Sequence, residues 1–362
     1  MDELRQLIRQ HPLIDQHCHN LLSARHAASY DKYPFECIAS DGGSAALAQT
    51  ATKTLPHVRA VQQLAQFYDC KLDWEEIKRV RVQHDYEALV RRCLVGTHLL
   101  LLDDLLTEDG VEPFHWHDRF THSRSLRIVR IETVAAGLFK QIIENNRGIS
   151  AESVRVDFVN QFRMAIVSAL EDSLVVGFKS VICYRTGLDI NMELEFDALR
   201  LPYGRMAASG AASGYRVDDK PLNDWIVVTV LNLLRVAQRE RGIVKPLQFH
   251  TGLGDPDLNL IRANPAFLQP LIEAYPEVMF VLLHSSYPYT KQGGYLASAY
   301  PNVYLDLGEV FPMISRDGQE RILRDAFDMT PTSRLLWSTD GHFFPETYWL
   351  SNKQFREALE KV

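Results

Sequence analysis

An α/β barrel of eight parallel strands is the fold class this sequence predicts, on three observations. Short, nearly all-apolar runs recur along the whole chain, helical patterns separate them, and chemistry-bearing polar residues stand at the carboxyl ends of several runs. Apolar runs without alternation are the pattern of strands covered on both faces. Regular strand–helix alternation calls for right-handed parallel crossovers. An open doubly wound sheet is the competing architecture, but no G-x-G-x-x-G or Walker-type loop supports a nucleotide-binding version.

The first strand begins at Pro12-Leu13-Ile14-Asp15. The others are Gly96–Leu102, Leu126–Val134, Val175–Tyr184, Lys245–His250, Val278–His284, Val303–Leu307 and Arg334–Trp337. Helical segments between them include Ser153–Glu171 and Asp224–Arg241. Residues 20–95 do not fit the repeat and predict a helical insertion after strand one. Its segments Leu55–Cys70 and Trp74–Val95 carry apolar residues at helical spacing, and Asp73 with Glu76, and Asp85, read as helix starts. Its basic residues Lys78, Arg79, Arg81, Arg91 and Arg92 alternate with acids, the pattern of a solvated helix face. Leu201–Asp224, with GRMAASGAASGYR, reads as a loop, either a lid over a site or plain surface. A short closing helix is expected over Ser351–Val362, with Ser351 and Gln354 as its capping box.

Length and composition bound the rest. The chain has 362 residues, enough for two ordinary domains or for one barrel of ~250 residues with ~110 residues of insertions. Ligand candidates run from residue 17 to residue 340, which favours the second arrangement: a single distorted (β/α)8 TIM barrel over 1–362, with its surplus chiefly in 20–95 and a smaller share in 189–224. Asp plus Glu outnumber Lys plus Arg by 46 to 39, so nucleic acid is not the expected partner. The five cysteines (Cys18, Cys37, Cys70, Cys93, Cys183) are scattered and form no C-x-x-C pair, which suits free thiols in a reducing compartment. The charged N-terminal stretch lacks the apolar core of a signal peptide, and no apolar run is long enough to span a bilayer. A soluble cytoplasmic protein is the expectation, with a small-molecule partner, no membrane partner, and a homo-oligomer left open.

The chemistry starts at Asp15-Gln16-His17-Cys18-His19. Residues i and i+2 of a strand share a face, so His17 and His19 project together into the mouth of a barrel, where such enzymes hold their sites. Neutral imidazole nitrogens are good ligands for zinc and similar divalent ions. His250 closes the fifth run, in PLQFHTGLGD; His284 closes the sixth; Asp340 follows the eighth, in RLLWSTDG. Satisfied core histidines would have no reason to fall repeatedly at strand ends, so a metal site is the better explanation of the set.

H-x-H on strand one, His on strands five and six and Asp on strand eight resembles the pattern of the amidohydrolase superfamily. The wording DQHCHN, FKSVICYRTGL, FHTGLGD, LLHSSYPY, VYLDLGE and STDGHFFPETYW resembles the nodulin/FluG-like branch of its amidohydrolase-2 group. The resemblance runs from Pro12 to about Trp349. It implies that His17, His19, His250 and Asp340 face a divalent metal, most simply zinc, and that His284 binds a second ion or polarises the substrate. Some members place a carboxylated lysine on strand four; Lys179 is the matching residue, and one or two ions are both open.

The ligand set implies a metal-dependent hydrolase acting on an amide (C–N) or related bond of a small polar substrate, with Asp340 moving the proton. The resemblance implies γ-glutamyl and other amide compounds as candidate substrates. Non-oxidative decarboxylation or sugar-acid isomerisation, as in other members of the superfamily, is the alternative; a catalytically inactive binding or regulatory domain is the alternative of another class. Arg185 and Thr186, just after strand four, are the candidates for substrate binding, since a guanidinium pairs well with a carboxylate. Glu132 and Asp306 are candidates for orienting ligand histidines; for these and for Arg185, ordinary helix–strand salt bridging is the competing reading. His115-Trp116-His117 and His122 are expected to be surface structure rather than a second metal site.

Overall fold

The computed structural model describes residues 2–104, 110–146, 148, 150–193 and 200–362. The strands are β1 Leu13–Cys18, β2 Thr97–Asp103, β3 Leu126–Arg130, β4 Val175–Ser180, β5 Leu247–Phe249, β6 Phe280–Leu282, β7 Val303–Asp306 and β8 Leu335–Leu336. They form one eight-stranded sheet in chain order. The pairs β1/β2, β4/β5, β5/β6 and β7/β8 run parallel. Gln16 N–H donates to the Trp337 carbonyl at 3.0 Å, which brings the chain after β8 back to β1. This is the (β/α)8 barrel that the strand–helix alternation predicts.

Every expected strand is present, but most stop early. Helix Ile131–Asn145 claims Ile131–Val134, and a 3-10 turn over Ile182–Tyr184 takes the end of the fourth run. The exchanges leave Glu132 in the first turn of the helix, and Arg185 and Thr186 on the turn beyond β4.

By its internal contacts the chain divides into two units, each discontinuous in sequence. The first comprises residues 1–127, 253–256 and 305–362; the second comprises 128–252 and 257–304. In the first, the insertion is helical as expected. Helix Leu55–Tyr68 is followed by Trp74–Arg81 and Tyr86–Cys93, two helices where the periodicity suggested one span. Both begin as read: the Asp73 carboxylate accepts from Glu76 N–H and that of Asp85 from Ala88 N–H. Their apolar faces, with Leu64, Phe67, Ile77 and Leu89, pack with Phe35, Phe344 and Leu350 into one buried cluster.

The closing helix is Pro345–Leu359, six residues earlier than the expected start. Proline at its first position is preorganised for a helix start. Ser351 and Gln354 therefore lie inside the helix and cap nothing: Ser351 Oγ donates to the Phe311 carbonyl and Gln354 Nε2 to Gln63 Oε1.

In the second unit, long helices Ala151–Glu171 and Lys220–Arg241 flank the strands. The expected loop over Leu201–Asp224 is instead helical at both ends, in Arg200–Ser209 and from Lys220 onward, with residues 210–219 as the loop between them. Tyr203 anchors the first of these helices, fully buried with its ring 5.8 Å from Phe158 and 5.9 Å from Phe139. Alanine and methionine at neighbouring positions favour helix, which the count of small residues alone did not weigh. Of the 189–224 stretch, residues 194–199 lie outside the described residues.

All five cysteines are free thiols. Among the described residues no helix is long and apolar enough to cross a membrane.

Candidate metal centre

His17 sits near the end of β1 and His19 just beyond it, both buried, with ring centroids 5.0 Å apart and planes at 85°. Their Nε2 atoms lie 3.2 and 3.3 Å from the same oxygen, Asp340 Oδ1. The spacing of two thus does what a strand requires of it. His19 Nδ1 is 3.1 Å from the main-chain carbonyl of Asp103. A carbonyl only accepts, so Nδ1 carries a proton; when the ring is neutral, Nε2 presents its lone pair to Asp340. Acceptors facing a carboxylate oxygen repel unless a cation lies among them. Ligand atoms of His17, His19 and Asp340 all lie within 4.8 Å of one another, a set suited to a divalent ion.

Asp340 is held by main-chain geometry rather than by its own strand. Its N–H donates to the His17 carbonyl at 3.1 Å, and His19 N–H donates to the Gly341 carbonyl at 2.7 Å. Its φ is +52°, a left-handed conformation that non-glycine residues adopt at a cost and that clusters at functional sites. The preceding residue is clamped: Asp15 accepts from Thr339 N–H at 2.9 Å and from Thr339 Oγ1 at 2.5 Å. Burial pushes the Asp15 carboxyl up to about 8, against the pull of those two bonds. Gly341 has no room for a side chain, because a Cβ would come within 2.6 Å of the Tyr348 ring. The Tyr348 hydroxyl in turn donates to the His19 carbonyl.

In the second unit, His250 and His284 lie beyond β5 and β6, buried, with ring centroids 4.2 Å apart. The Tyr184 ring is 4.4 Å from that of His250. His284, Ser285 and Ser286 all have positive φ, so the chain leaves β6 in a tight left-handed turn. Gly252 makes room for it: a Cβ there would meet the Tyr287 carbonyl at 2.3 Å. Thr251 Oγ1 ties the turn down, 2.6 Å from the Leu283 carbonyl and 2.8 Å from Ser286 Oγ. Lys179 is buried on β4 and pairs in register with Gln248 of β5, two residues before His250.

Arg185 and Thr186 follow the Ile182–Tyr184 turn. Arg185 Nε and Thr186 Oγ1 are both buried without a hydrogen-bond partner. Glu132 takes a different part from the one expected. Its carboxylate accepts from Ser180 Oγ at 2.6 Å and Val181 N–H at 3.1 Å, and so caps β4. Asp306 Oδ2 accepts from Gly308 N–H and Ser338 Oγ, each at 2.9 Å, joining the chain after β7 to that after β8.

Two readings of surface residues are overturned. Arg81 is not on a solvated face. It is buried with Glu346, donating from Nε at 2.6 Å and from Nη2 at 3.3 Å, while Nη1 donates to the Ala27 carbonyl at 2.7 Å. The Tyr68 hydroxyl also donates to Glu346. The charge pattern near residue 81 gave no sign of this, because the partner lies 265 positions away. His117 is likewise fully buried: Nε2 accepts from Leu21 N–H at 3.2 Å and Nδ1 lies 3.1 Å from the Phe114 carbonyl. It holds the chain just after His19, a structural role that its polar neighbours concealed. Asp15, Asp103, Gly341 and Tyr348 were missed as supports of the centre. Asp15, Gly341 and Tyr348 had a signal, the first in the DQHCH motif and the others in STDGHFFPETYW; Asp103 had none.

Comparison with known proteins agrees with this architecture. The Amidohydrolase family matches residues 240–361. Protein fluG of Emericella nidulans is 56% identical over 375 residues, an alignment that takes in all of this chain and 43% of that protein. The chain therefore spans less than half the length of that relative. A crystal structure from Lactobacillus casei, provisionally described as a metal-dependent hydrolase, superposes with a TM-score of 0.81 at 24% identity, covering 99% of this chain and 89% of that one. A uronate isomerase from Thermotoga maritima has the same fold more distantly, with a TM-score of 0.64 at 15% identity and the same two coverages.

Proposed function

The chain belongs to the amidohydrolase superfamily, and from that premise we propose that it is a metal-dependent hydrolase that cleaves an amide (C–N) or related bond of a small polar substrate. The observation that carries the reading is the convergence of His17 and His19 Nε2 on one oxygen of Asp340. His17, His19, His250 and Asp340 are the proposed metal ligands, with Lys179 as a further anionic ligand once carboxylated. Carboxylation would turn the buried Lys179 ammonium into an anionic ligand, whose charge a bound divalent ion would offset. Zinc is the proposed ion, in one or two copies, and the cytoplasm the proposed compartment.

When bound, a divalent ion supplies Lewis acidity and lowers the pKa of water towards ~7. The residues do the rest. Asp340, fixed by the His17 carbonyl and Gly341, takes the proton of the attacking water and hands it to the leaving group. His284 polarises the scissile carbonyl. Asp103 holds His19 in the tautomer that keeps Nε2 available. Arg185 and Thr186 bind the substrate. γ-Glutamyl compounds and other small amides are the first substrates to screen.

Elemental analysis of purified protein should find one or two equivalents of metal, and a folded, metal-free protein indifferent to chelators would sink the reading. His250→Ala and Asp340→Ala should each lower turnover by roughly 10²–10⁴-fold while the chain stays folded. Product analysis separates the chemistries: released amine marks hydrolysis, whereas released CO₂ or a rearranged sugar acid would replace this reading with decarboxylation or isomerisation.

A further inference from the structure

We infer that Arg185 and Thr186, with Arg216 and Arg130 behind them, form a preformed anion subsite that receives a free carboxylate of the substrate, so that the substrates are small amides carrying a carboxylate; this rests on the proposed hydrolase site. The main chain of the subsite is already fixed. The N–H groups of Arg185 and Thr186 both donate to the Ile182 carbonyl at 2.9 Å, and the Thr186 carbonyl accepts from Arg262 Nη1 at 3.1 Å. The side chains are not. Neither Arg185 nor Thr186 makes a side-chain hydrogen bond or ion pair among the described residues, although Arg185 Nε and Thr186 Oγ1 are shut off from solvent.

The surroundings make this costly. Burial and the Arg216 guanidinium pull the pKa of Arg185 down, Arg130 adds to this, and Glu132 and Asp257 offset it only in part. Those acids are committed elsewhere, Glu132 to Ser180 and Val181, and Asp257 to Arg216 Nη2 at 2.6 Å. A half-buried cation with no counter-ion, beside further cations, is a large expense for a fold unless a ligand supplies the charge. A carboxylate fits best. Its two coplanar oxygens match the guanidinium fork, and a hydroxyl beside the fork adds a third donor.

Position ties the subsite to the reaction. Tyr184, the residue before Arg185, lays its ring 4.4 Å from His250, a proposed metal ligand, and its carbonyl accepts from Arg216 Nη2 at 3.3 Å. Arg216 comes from the stretch read from sequence as a lid. That stretch thus brings positive charge to the subsite.

The test is calorimetric titration of the full chain with glutarate, glutaramide and inorganic phosphate, on metal-loaded and chelator-treated protein, with metal content measured on every sample. Glutarate should bind at least tenfold more tightly than glutaramide, its uncharged analogue, with or without metal. Arg185→Gln should erase that preference without changing metal content, and Arg185→Lys should keep part of it. Equal binding of glutarate and glutaramide, an unchanged preference in Arg185→Gln, or binding of phosphate but not glutarate would each overturn the subsite. Full metal content without a carboxylate preference fails the subsite alone. A carboxylate preference in a chain that never takes up metal fails the hydrolase reading alone.

Discussion

Arg81, in the helical insertion, is buried and Arg185, in the turn after β4, is half-buried, and their surroundings treat them in opposite ways. Arg81 is answered on every side. Glu346 accepts twice, the Ala27 carbonyl accepts once, and the rings of Phe35 and Phe344 lie 5.1 and 5.3 Å from its guanidinium carbon. Arg185 has no hydrogen bond or ion pair from its side chain among the described residues, and further cations stand near it. A buried charge with a complete set of partners builds structure, whereas one without them is arranged for something that arrives later. The Arg81 pair also bears on the metal centre. Glu346 is followed by Thr347, whose hydroxyl accepts from His342 N–H at 3.2 Å, and by Tyr348, which bonds the His19 carbonyl. The insertion thus grips the helix that steadies the chain around Asp340.

The contrast can be broken by removing each charge. Arg81→Ala strands the Glu346 carboxylate and should cost about 3–5 kcal/mol in denaturant unfolding. The double change Arg81→Met with Glu346→Leu should recover most of that loss, because no charge is left unpaired. If Arg81→Ala cost no more than an exposed arginine, the insertion would not be clamped as described.

A fall in pH probes a second fully partnered group of the first unit. Burial pushes the His117 imidazole down to about 4, against an ordinary value near 6.5. The unfolded chain therefore takes up a proton that the folded chain refuses between those two values. Stability from this residue is whole above pH ~6.5 and is lost as pH falls towards 4, by about 3 kcal/mol at most. Urea midpoints across that range should fall for the natural chain and fall less for His117→Gln. Parallel curves would mean that His117 is not neutral in the fold.

Gly341→Ala tests how tightly the Asp340 turn is packed. The added methyl meets the Tyr348 ring, and overpacking of this kind costs about 1–3 kcal/mol. Metal affinity should fall with it, since Asp340 is the neighbouring residue. The smallest effect is expected at the other arginine. Arg185→Leu should change stability by about 0.5 kcal/mol or less, or raise it, because no partner is lost. A loss comparable to that of Arg81→Ala would show that Arg185 is structural and would erase the contrast.

Much of this was legible in one dimension. The metal-ligand candidates were found because their signal is local: two histidines at strand spacing, and single polar residues where apolar runs end. Arg185 and Thr186 were picked out as candidates in the same way, by their place after β4. What could not be read has partners far off in the chain. Arg81 looked like one more charge on a mixed helix, and its partner became visible only in the fold. His117 looked polar because its neighbours are, yet its ring is spent on the backbone of Leu21 and Phe114. Glu132 was read as a candidate either for orienting a histidine or for an ordinary salt bridge, and instead caps β4, a choice among acceptor tasks that residue type does not encode.

By itself, the sequence determined the order of strands and helices and the kinds of atoms delivered to the strand ends. Hydrophobic period and residue type act over a few neighbouring positions, and that is enough to set both. Tertiary structure alone decided how those atoms are used. The tautomer of His19 depends on the backbone carbonyl of Asp103, the pose of Asp340 on the carbonyl of His17, and the close fit at Gly341 on the ring of Tyr348. Carbonyls are common to all residues and leave no mark in a sequence, so only the folded chain could say which of them would meet a functional side chain.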